Sequence, residues 1–311
     1  MNRNVEVTIM ATTKENLFDP RLTQEIITKM AGHSTLAKLC QSTPVAFNGN
    51  KEFIFSLDKD IDVVAEGGAK SEGGLTLTPV TVIPYKVEYG ARVSDEFMYA
   101  TEEEKIDILS NFTDGFGRKL AVGFDKMAFH GVNPRTGTAS TVIGDKHFDG
   151  AVKAENVVTY DKTKPDECLE DAINKVGDND GIVTGIAMAN SMRKDMAQLK
   201  NKNGDRVYPD FAFGSAPSAL GSQTLDVNRT VDMAGKNTDQ AIVGDFANMF
   251  KWGYAKDVFF KVIEAGDPDN SGQDLAGHNQ VYLRCEAYIG WGILDPDSFA
   301  IVRSASAEAS A

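Results

Sequence analysis

The sequence predicts an α+β fold, and three patterns carry that prediction. Residues 77–93 alternate apolar and polar side chains for far longer than an ordinary strand. Residues 102–129 place a single apolar stripe at helical spacing, and from about residue 162 helical and strand patterns take turns. At 311 residues the chain has room for roughly two domains of about 150 residues each. Apolar residues make up 42%, which excludes wholesale disorder. No window approaches the ~18 consecutive apolar residues of a membrane helix, and the first twenty residues hold no secretory h-region. The chain therefore reads as a soluble protein with no membrane partner.

In chain order, the first ~18 residues are polar and uncapped and read as an extended arm. Asp19-Pro20 supplies a cap and a first-turn proline, Leu22, Ile26, Ile27 and Met30 follow at helical spacing, and Gly32 stops the helix. A shorter helical piece, Thr35 to Cys40, precedes the break at Pro44. Phe53-Ile54-Phe55 begins a strand, and residues 61–74 are charged and glycine-rich. The return strand puts Leu77, Ile83, Tyr85, Val87, Tyr89, Ala91 and Val93 on odd positions, with Thr78, Lys86, Glu88, Arg92 and Ser94 on even ones. That is the period-2 signature of one buried face, and a strand from Leu77 to Val93 would span about 55 Å.

A hairpin that long cannot bury its tip on its own domain, and an isolated two-stranded ribbon is marginal in water. The tip carries Asp58, Lys59, Asp60, Asp62, Glu66, Lys70 and Glu72. Its outer half is expected to rest on another molecule, with Asp58, Lys59, Asp62, Glu66, Lys70 and Glu72 as the intersubunit contacts. The helix that follows carries Ile106, Leu109, Phe112, Phe116, Leu120, Phe124 and Met127 in steps of 3, 3, 4, 4, 4 and 3. They make one stripe along about 40 Å, interrupted by Gly115, Gly117 and Gly123.

Pro165 opens a helix bearing Cys168, Leu169, Ile173 and Val176 and ending at Gly177. Ile182 to Ala189 reads as a buried strand, and Asn190 as the cap of a helix with Met192, Met196 and Leu199 on one face. About forty loop-rich residues follow; Ala241-Ile242-Val243 and Val258–Ile263 are strands, and residues 266–278 form a solvent loop. Val281, Leu283, Cys285, Ala287, Ile289, Trp291 and Ile293 alternate again, Phe299–Val302 is a last short strand, and residues 304–311 are a frayed tail. Tyr85, Tyr89 and Trp291 read first as core packing and only second as interface anchors.

No active-site pattern survives inspection. Cys40, Cys168 and Cys285 are odd in number and more than a hundred residues apart, which fits buried free thiols in a reducing compartment. His33, His130, His147 and His278 stand alone in the sequence, so no metal is expected. Asp58, Asp60 and Asp62 imitate the start of a calcium loop, but Val63 and Ala69 occupy the places of its glycine and its bidentate glutamate. Asp267, Asp269 and Asp274 read as solvated loop acids rather than a cation site. There is no nucleophile elbow, Walker loop or dinucleotide glycine motif, so neither a catalytic residue nor a cofactor is expected.

The order of elements (arm, capped helix, long charged hairpin, long helix, α/β segment, long alternating strand) resembles that of tailed-bacteriophage major capsid proteins with the Hong Kong 97-type fold. Phe18-Asp19-Pro20 with Glu25-Ile26-Ile27 resembles the family's first helix, and Ala65-Glu66-Gly67-Gly68-Ala69-Lys70 its extended-loop motif. Thr78-Pro79, Tyr85-Lys86 and Val93-Ser94-Asp95-Glu96-Phe97 resemble the return strand and the approach to the spine helix. Asp125 with Gly131 resembles that helix's end; Val243-Gly244-Asp245-Phe246 and Leu283-Arg284-Cys285-Glu286 resemble the late strands.

The resemblance implies an arm and first helix at 1–46, an extended loop at 47–93, and a peripheral domain at 94–159 and 278–296 built on the spine helix. An α/β axial domain at 160–277 and 297–303 and a tail at 304–311 complete it. It implies a virion shell protein made in a bacterial host's cytoplasm, assembling as pentamers and hexamers. The shell would enclose double-stranded DNA without sequence-specific binding. Net charge of −13 disfavours direct nucleic-acid binding but suits a wall along which DNA slides. Implied partners are copies of the chain itself, a portal protein, decoration proteins in some members, and a separate scaffolding protein, favoured by Met1 over a removed scaffold segment. Part of the family cross-links its subunits through lysine and asparagine side chains, and Lys59 or Lys70 could be placed for it, but as ordinary solvated lysines they need no such role. Two rival readings remain at this point: an encapsulin shell around an enzyme cargo, and a soluble enzyme with a dispersed site.

Overall fold

The computed structural model describes residues 33–57, 59–99, 102–233 and 235–305. The arm, the helix expected after Pro20 and the end of the tail lie outside them. Helix α1 (Thr35–Leu39) is capped by the Ser34 hydroxyl, which accepts from the Ala37 N–H at 3.1 Å. Strands β1 (Asn50–Leu57) and β2 (Leu75–Ser94) form the expected hairpin, with Asn50 opposite Val82 and Leu57 opposite Leu75. At 20 residues, β2 spans about 66 Å.

Helix α2 (Glu102–His130) is the predicted long helix, 29 residues or about 43 Å. Leu109, Phe116, Leu120, Phe124 and Met127 of its stripe are buried, while the Ile106 side chain lies outside what is described. A Cβ on Gly123 would stand 3.3 Å from Pro134, so this glycine permits a close approach, whereas Gly115 faces open space. The short helix α3 (Phe148–Ala151) delivers Phe148 into a ring cluster with Phe129, Phe246, Phe250 and Phe299.

Two sheets flank this cluster. In the first, β2 leaves β1 at Val82 and pairs from Ile83 onward with β9 (Gln280–Ile293), whose other neighbour is β8 (Phe250–Ile263). The order is β1-β2-β9-β8. The outer edge of β8 is covered by residues 43–45: Thr43 and Val45 donate backbone N–H bonds to Trp252 and Tyr254 at 2.8 and 3.1 Å. A Cβ on Gly253 would meet the Thr43 carbonyl oxygen at 1.6 Å, so only glycine lets that segment lie so close. The second sheet orders β3 (Val157–Thr159), β10 (Phe299–Arg303), β7 (Asp239–Gly244), β4 (Gly185–Met188), β6 (Gln223–Val227) and β5 (Ala219–Leu220). Helices α4 (Pro165–Asp178) and α5 (Asn190–Gln198) cover one face of it through Cys168, Leu169, Val176, Met192 and Met196. Ile242, Phe299 and Ile301 of the opposite face join the aromatic cluster against α2.

Several expectations change here. The strand expected from Ile182 begins at Gly185, and Ile182 is 71% exposed. Asn190 is the first helical residue rather than the cap; Ala189 takes that place because its N–H is held to Gln240 by the adjoining strand. Strand β8 starts eight residues earlier than its pattern suggests, because register breaks between Tyr254 and Phe259 interrupt the alternation. It also pairs within the first sheet, although it falls in the segment expected to be axial; conversely β3, from the expected peripheral segment, joins the second sheet. Strand β9 is largely buried on both faces, Tyr282 and Glu286 included. Tyr85 and Trp291 are core residues, but Tyr89 is 49% exposed. The three cysteines are buried free thiols, and burial pushes Cys40 up to about 11 and Cys285 to about 12, far from thiolate reactivity at neutral pH.

Candidate functional site

The outer ribbon is the feature that a self-contained domain does not explain. Among the described residues, 50–57 and 75–82 form strand pairs only with each other, and 59–74 contain no further strand; near the root, Lys251 of β8 reaches Glu52 at 3.0 Å. A turn closes at Gly68 N–H to Ala65 C=O (2.9 Å), with Gly67 at φ +77°, and the Lys59 ammonium donates to the Glu72 carbonyl at 2.9 Å. Of the six predicted contact residues, Lys59, Asp62, Glu66, Lys70 and Glu72 are all exposed; Asp58 lies outside the described residues. Among the described residues no ion pair ties any of these five to the body of the chain.

Attention to charge hid the apolar side chains beside them. Ile61 and Val63 are 97% and 94% exposed, and Phe53, Leu75 and Leu77 are each about half exposed. Fully burying one such side chain contributes about 1.5–3 kcal/mol, against at most about 1 kcal/mol for an exposed ion pair. The ribbon therefore leaves apolar side chains in water beside its charges, and burying them would contribute more than pairing those charges.

The root of the ribbon is rigid by contrast. Tyr85 and Trp291 meet at 4.6 Å between centroids, Phe124 of α2 meets Trp291 edge-on at 5.8 Å, and the Trp291 indole N–H donates to the Lys146 carbonyl. Arg92, near the inner end of β2, reaches into the 266–278 loop, where its guanidinium donates to Asp267, Asp269, Ser271 and the Gln273 carbonyl. That loop is thus tied down by a protein cation, which takes the place the loop acids would otherwise offer to an ion. Arg92 holds the Asp269 carboxyl well below the usual carboxylate range.

Two buried charge clusters join α1, α2 and the second sheet. The fully buried Asp125 of α2 accepts from the Ser34 hydroxyl (2.5 Å), the Thr35 N–H (2.9 Å), the Leu36 N–H (3.3 Å) and the Thr230 hydroxyl (3.0 Å). It closes the N-terminus of α1, and burial outweighs these donors to push its carboxyl up to about 6. On the opposite side of α1, Asp226 of β6 accepts from Thr35 and from the Lys38 ammonium at 2.7 and 2.5 Å.

At the end of α2, the ring of His130 lies 2.7 Å from Asp149 and 3.5 Å from Asp239, and Arg303 donates to both carboxylates. Burial opposes the charge on His130, yet the Asp149 hydrogen bond and charge hold its pKa above the ordinary value. Burial and the neighbouring Asp149 push Asp239 up to about 7. These three ligand atoms lie within 4.8 Å of one another, a spacing a metal accepts, but Arg303 already neutralises them and the Thr230 carbonyl occupies the other ring nitrogen. Each group is bonded inside the fold, so the cluster fastens elements together rather than presenting an acid and a base to a substrate. No local pattern announces the cluster, since 19 residues separate His130 from Asp149 and 107 separate it from Asn237, which also bonds the ring.

Comparison with known proteins follows this geometry. The model of the phage capsid family matches residues 15–304. Among solved structures, a chain from Mycobacterium phage Ogopogo is 32% identical, with a TM-score of 0.73 over 88% of this chain and 92% of its own. One from Gordonia phage Cozz is 24% identical, at 0.73 over 88% and 87%. A chain from the capsid of a native GTA particle, 13% identical at 0.63 over 88% and 90%, shares the fold. No curated protein matches. With a family match along almost its whole length and a 32% identical relative of the same shape, the chain belongs to the phage capsid family.

Proposed function

We propose that this shell protein is the major head subunit of a tailed double-stranded-DNA phage, assembling as pentamers and hexamers around the genome. One observation carries the reading: a ribbon whose outer half, among the described residues, forms strand pairs only with itself and leaves Ile61, Val63, Phe53, Leu75 and Leu77 in water. Such a surface is stable when laid on a neighbouring copy, where burial of each side chain adds to many modest contacts. In this reading the first sheet and α2 form the peripheral domain, while the second sheet with α4 and α5 forms the axial domain. Glu66, Lys70 and the other tip charges pair across the contact. The chain's place is the virion, after synthesis in the bacterial cytoplasm, and its other partners are a portal, a separate scaffolding protein and, in some shells, decoration proteins. An acidic chain encloses DNA without gripping it.

The test is negative-stain microscopy of the expressed protein beside a variant with residues 58–74 replaced by Asn-Gly, a two-residue hairpin turn between the paired Leu57 and Leu75. Closed particles from the wild type and only small soluble species from the variant are expected. Wild-type protein that stays monomeric at high concentration would overturn the proposal.

A further inference from the structure

A second surface, far along the chain from the ribbon, has the character of a built contact. After Pro209 the backbone of residues 209–214 kinks: Ala212 is extended, Phe213 lies in the left-handed region at φ +55°, ψ +30°, and Gly214 follows at φ +83°. That region is unfavourable for a residue with a Cβ. The strain displays a phenylalanine that is 100% exposed. The loop is nevertheless anchored. Phe211, two residues earlier, is 1% exposed in the core of the second sheet, Arg193 donates to its carbonyl at 3.1 Å, and the Tyr208 hydroxyl donates to Asp166 at 3.2 Å. Strain held by an anchored frame to expose an aromatic ring is a mark of function rather than of a loose loop.

The surroundings say what would cover the ring. Arg206 stacks over Phe213 with its guanidinium carbon 5.3 Å from the centroid, and Asp210 stands exposed on the same rim. Pro209, Ala212 and Pro217 wall a shallow concavity of about 550 Å³ beside the ring. The patch thus holds one ring, one apolar hollow and one charge of each sign, and so is complementary to itself in a two-fold contact, in which each copy offers the same surface to the other. Resting on the shell reading, we infer that Phe213 of each copy seats against the hollow of the other, with Arg206 of each chain facing Asp210 of its partner. The occupant is a second copy of this chain.

Phe213→Gly separates a contact from a structural role, because glycine adopts the left-handed conformation freely. The variant should keep or raise the melting temperature of the unassembled subunit, while particle yield falls roughly tenfold or more, as expected for loss of a central aromatic anchor. Arg206→Asp should lower assembly likewise, and Arg206→Asp combined with Asp210→Arg should restore it, since the reversed pair meets again in every copy-to-copy contact. Wild-type particles whose yield is unmoved by Phe213→Gly, or a double charge reversal no better than the single, overturn this contact and leave the shell reading standing. A wild type that forms no particles removes both.

Discussion

The two halves of β2 make an instructive comparison. From Ile83 to Ser94 the strand pairs with β9 and meets α2 through Tyr89, whose ring lies 6.0 Å from that of Phe112; from Leu75 to Val82 its strand partner is β1. Both halves place apolar side chains on alternate positions, but burial is confined to the middle of the strand, where Val82 and Tyr85 meet the body; Leu75 and Leu77 towards the tip stand about half in water, as does Tyr89 on the outward side of the inner half. The alternation marks which face is available for burial, but only a neighbour buries it. One strand thus belongs to a folded body at one end and, in the proposed shell, would meet a neighbouring copy at the other.

The largest expected effect breaks the inner half. Trp291→Ala removes the ring that holds Tyr85 and Phe124 together, and should cost about 3–5 kcal/mol of subunit stability in denaturant titration. A loss under about 1 kcal/mol would mean that the inner half is no better packed than the outer.

Next comes pH, which acts on the body through its buried carboxyls. Asp125 rises from 3.8 to about 6 on folding. A group raised in this way contributes stability that is complete below its unfolded pKa and lost as pH rises through the folded one. Its share, about 3 kcal/mol, should therefore disappear between pH ~4 and ~6. Asp239, raised to about 7, and His130, raised above its ordinary value, act in the same direction, whereas Asp149 is lowered and acts in the opposite one. In melting curves across pH 4–8, Asp125→Asn should be less stable throughout, since its amide turns a donor toward other donors, and should show a shallower decline. An unchanged slope would remove Asp125 from the account.

Smaller effects belong to the outer half. Ile61→Ser and Val63→Ser should leave the subunit's melting unchanged while weakening assembly by about 1.5–2 kcal/mol per contact, read from the concentration at which particles form. Glu66→Gln and Lys70→Gln should weaken it by at most about 1 kcal/mol each, less so at high salt. If the charge changes exceed the apolar ones, the ranking of apolar burial above charge pairing is reversed.

The same contrast explains what was legible in the sequence. The hairpin, α2, α4 and β9 announce themselves because each is long and locally periodic. Strand β8 was half legible, since bulges between Tyr254 and Phe259 erase its period. Strands β3, β5 and β6 were not, being short segments that depend on distant partners. Among candidate site residues, the tip charges were visible by composition, whereas Ile61 and Val63 went unnoticed because scattered apolar residues in a loop carry no periodic signal. The roles of Asp125, Asp226 and the His130 cluster arise from contacts such as Asp125 to Ser34, 91 residues apart. No local pattern encodes such pairs.

Hydrogen exchange compared between free subunits and assembled particles tests the central claim most directly. Backbone amides of residues 83–94 should be protected in both states, while those of residues 59–82 should exchange readily in the free subunit and become protected in the particle. Equal protection of residues 59–82 in both states would contradict the account.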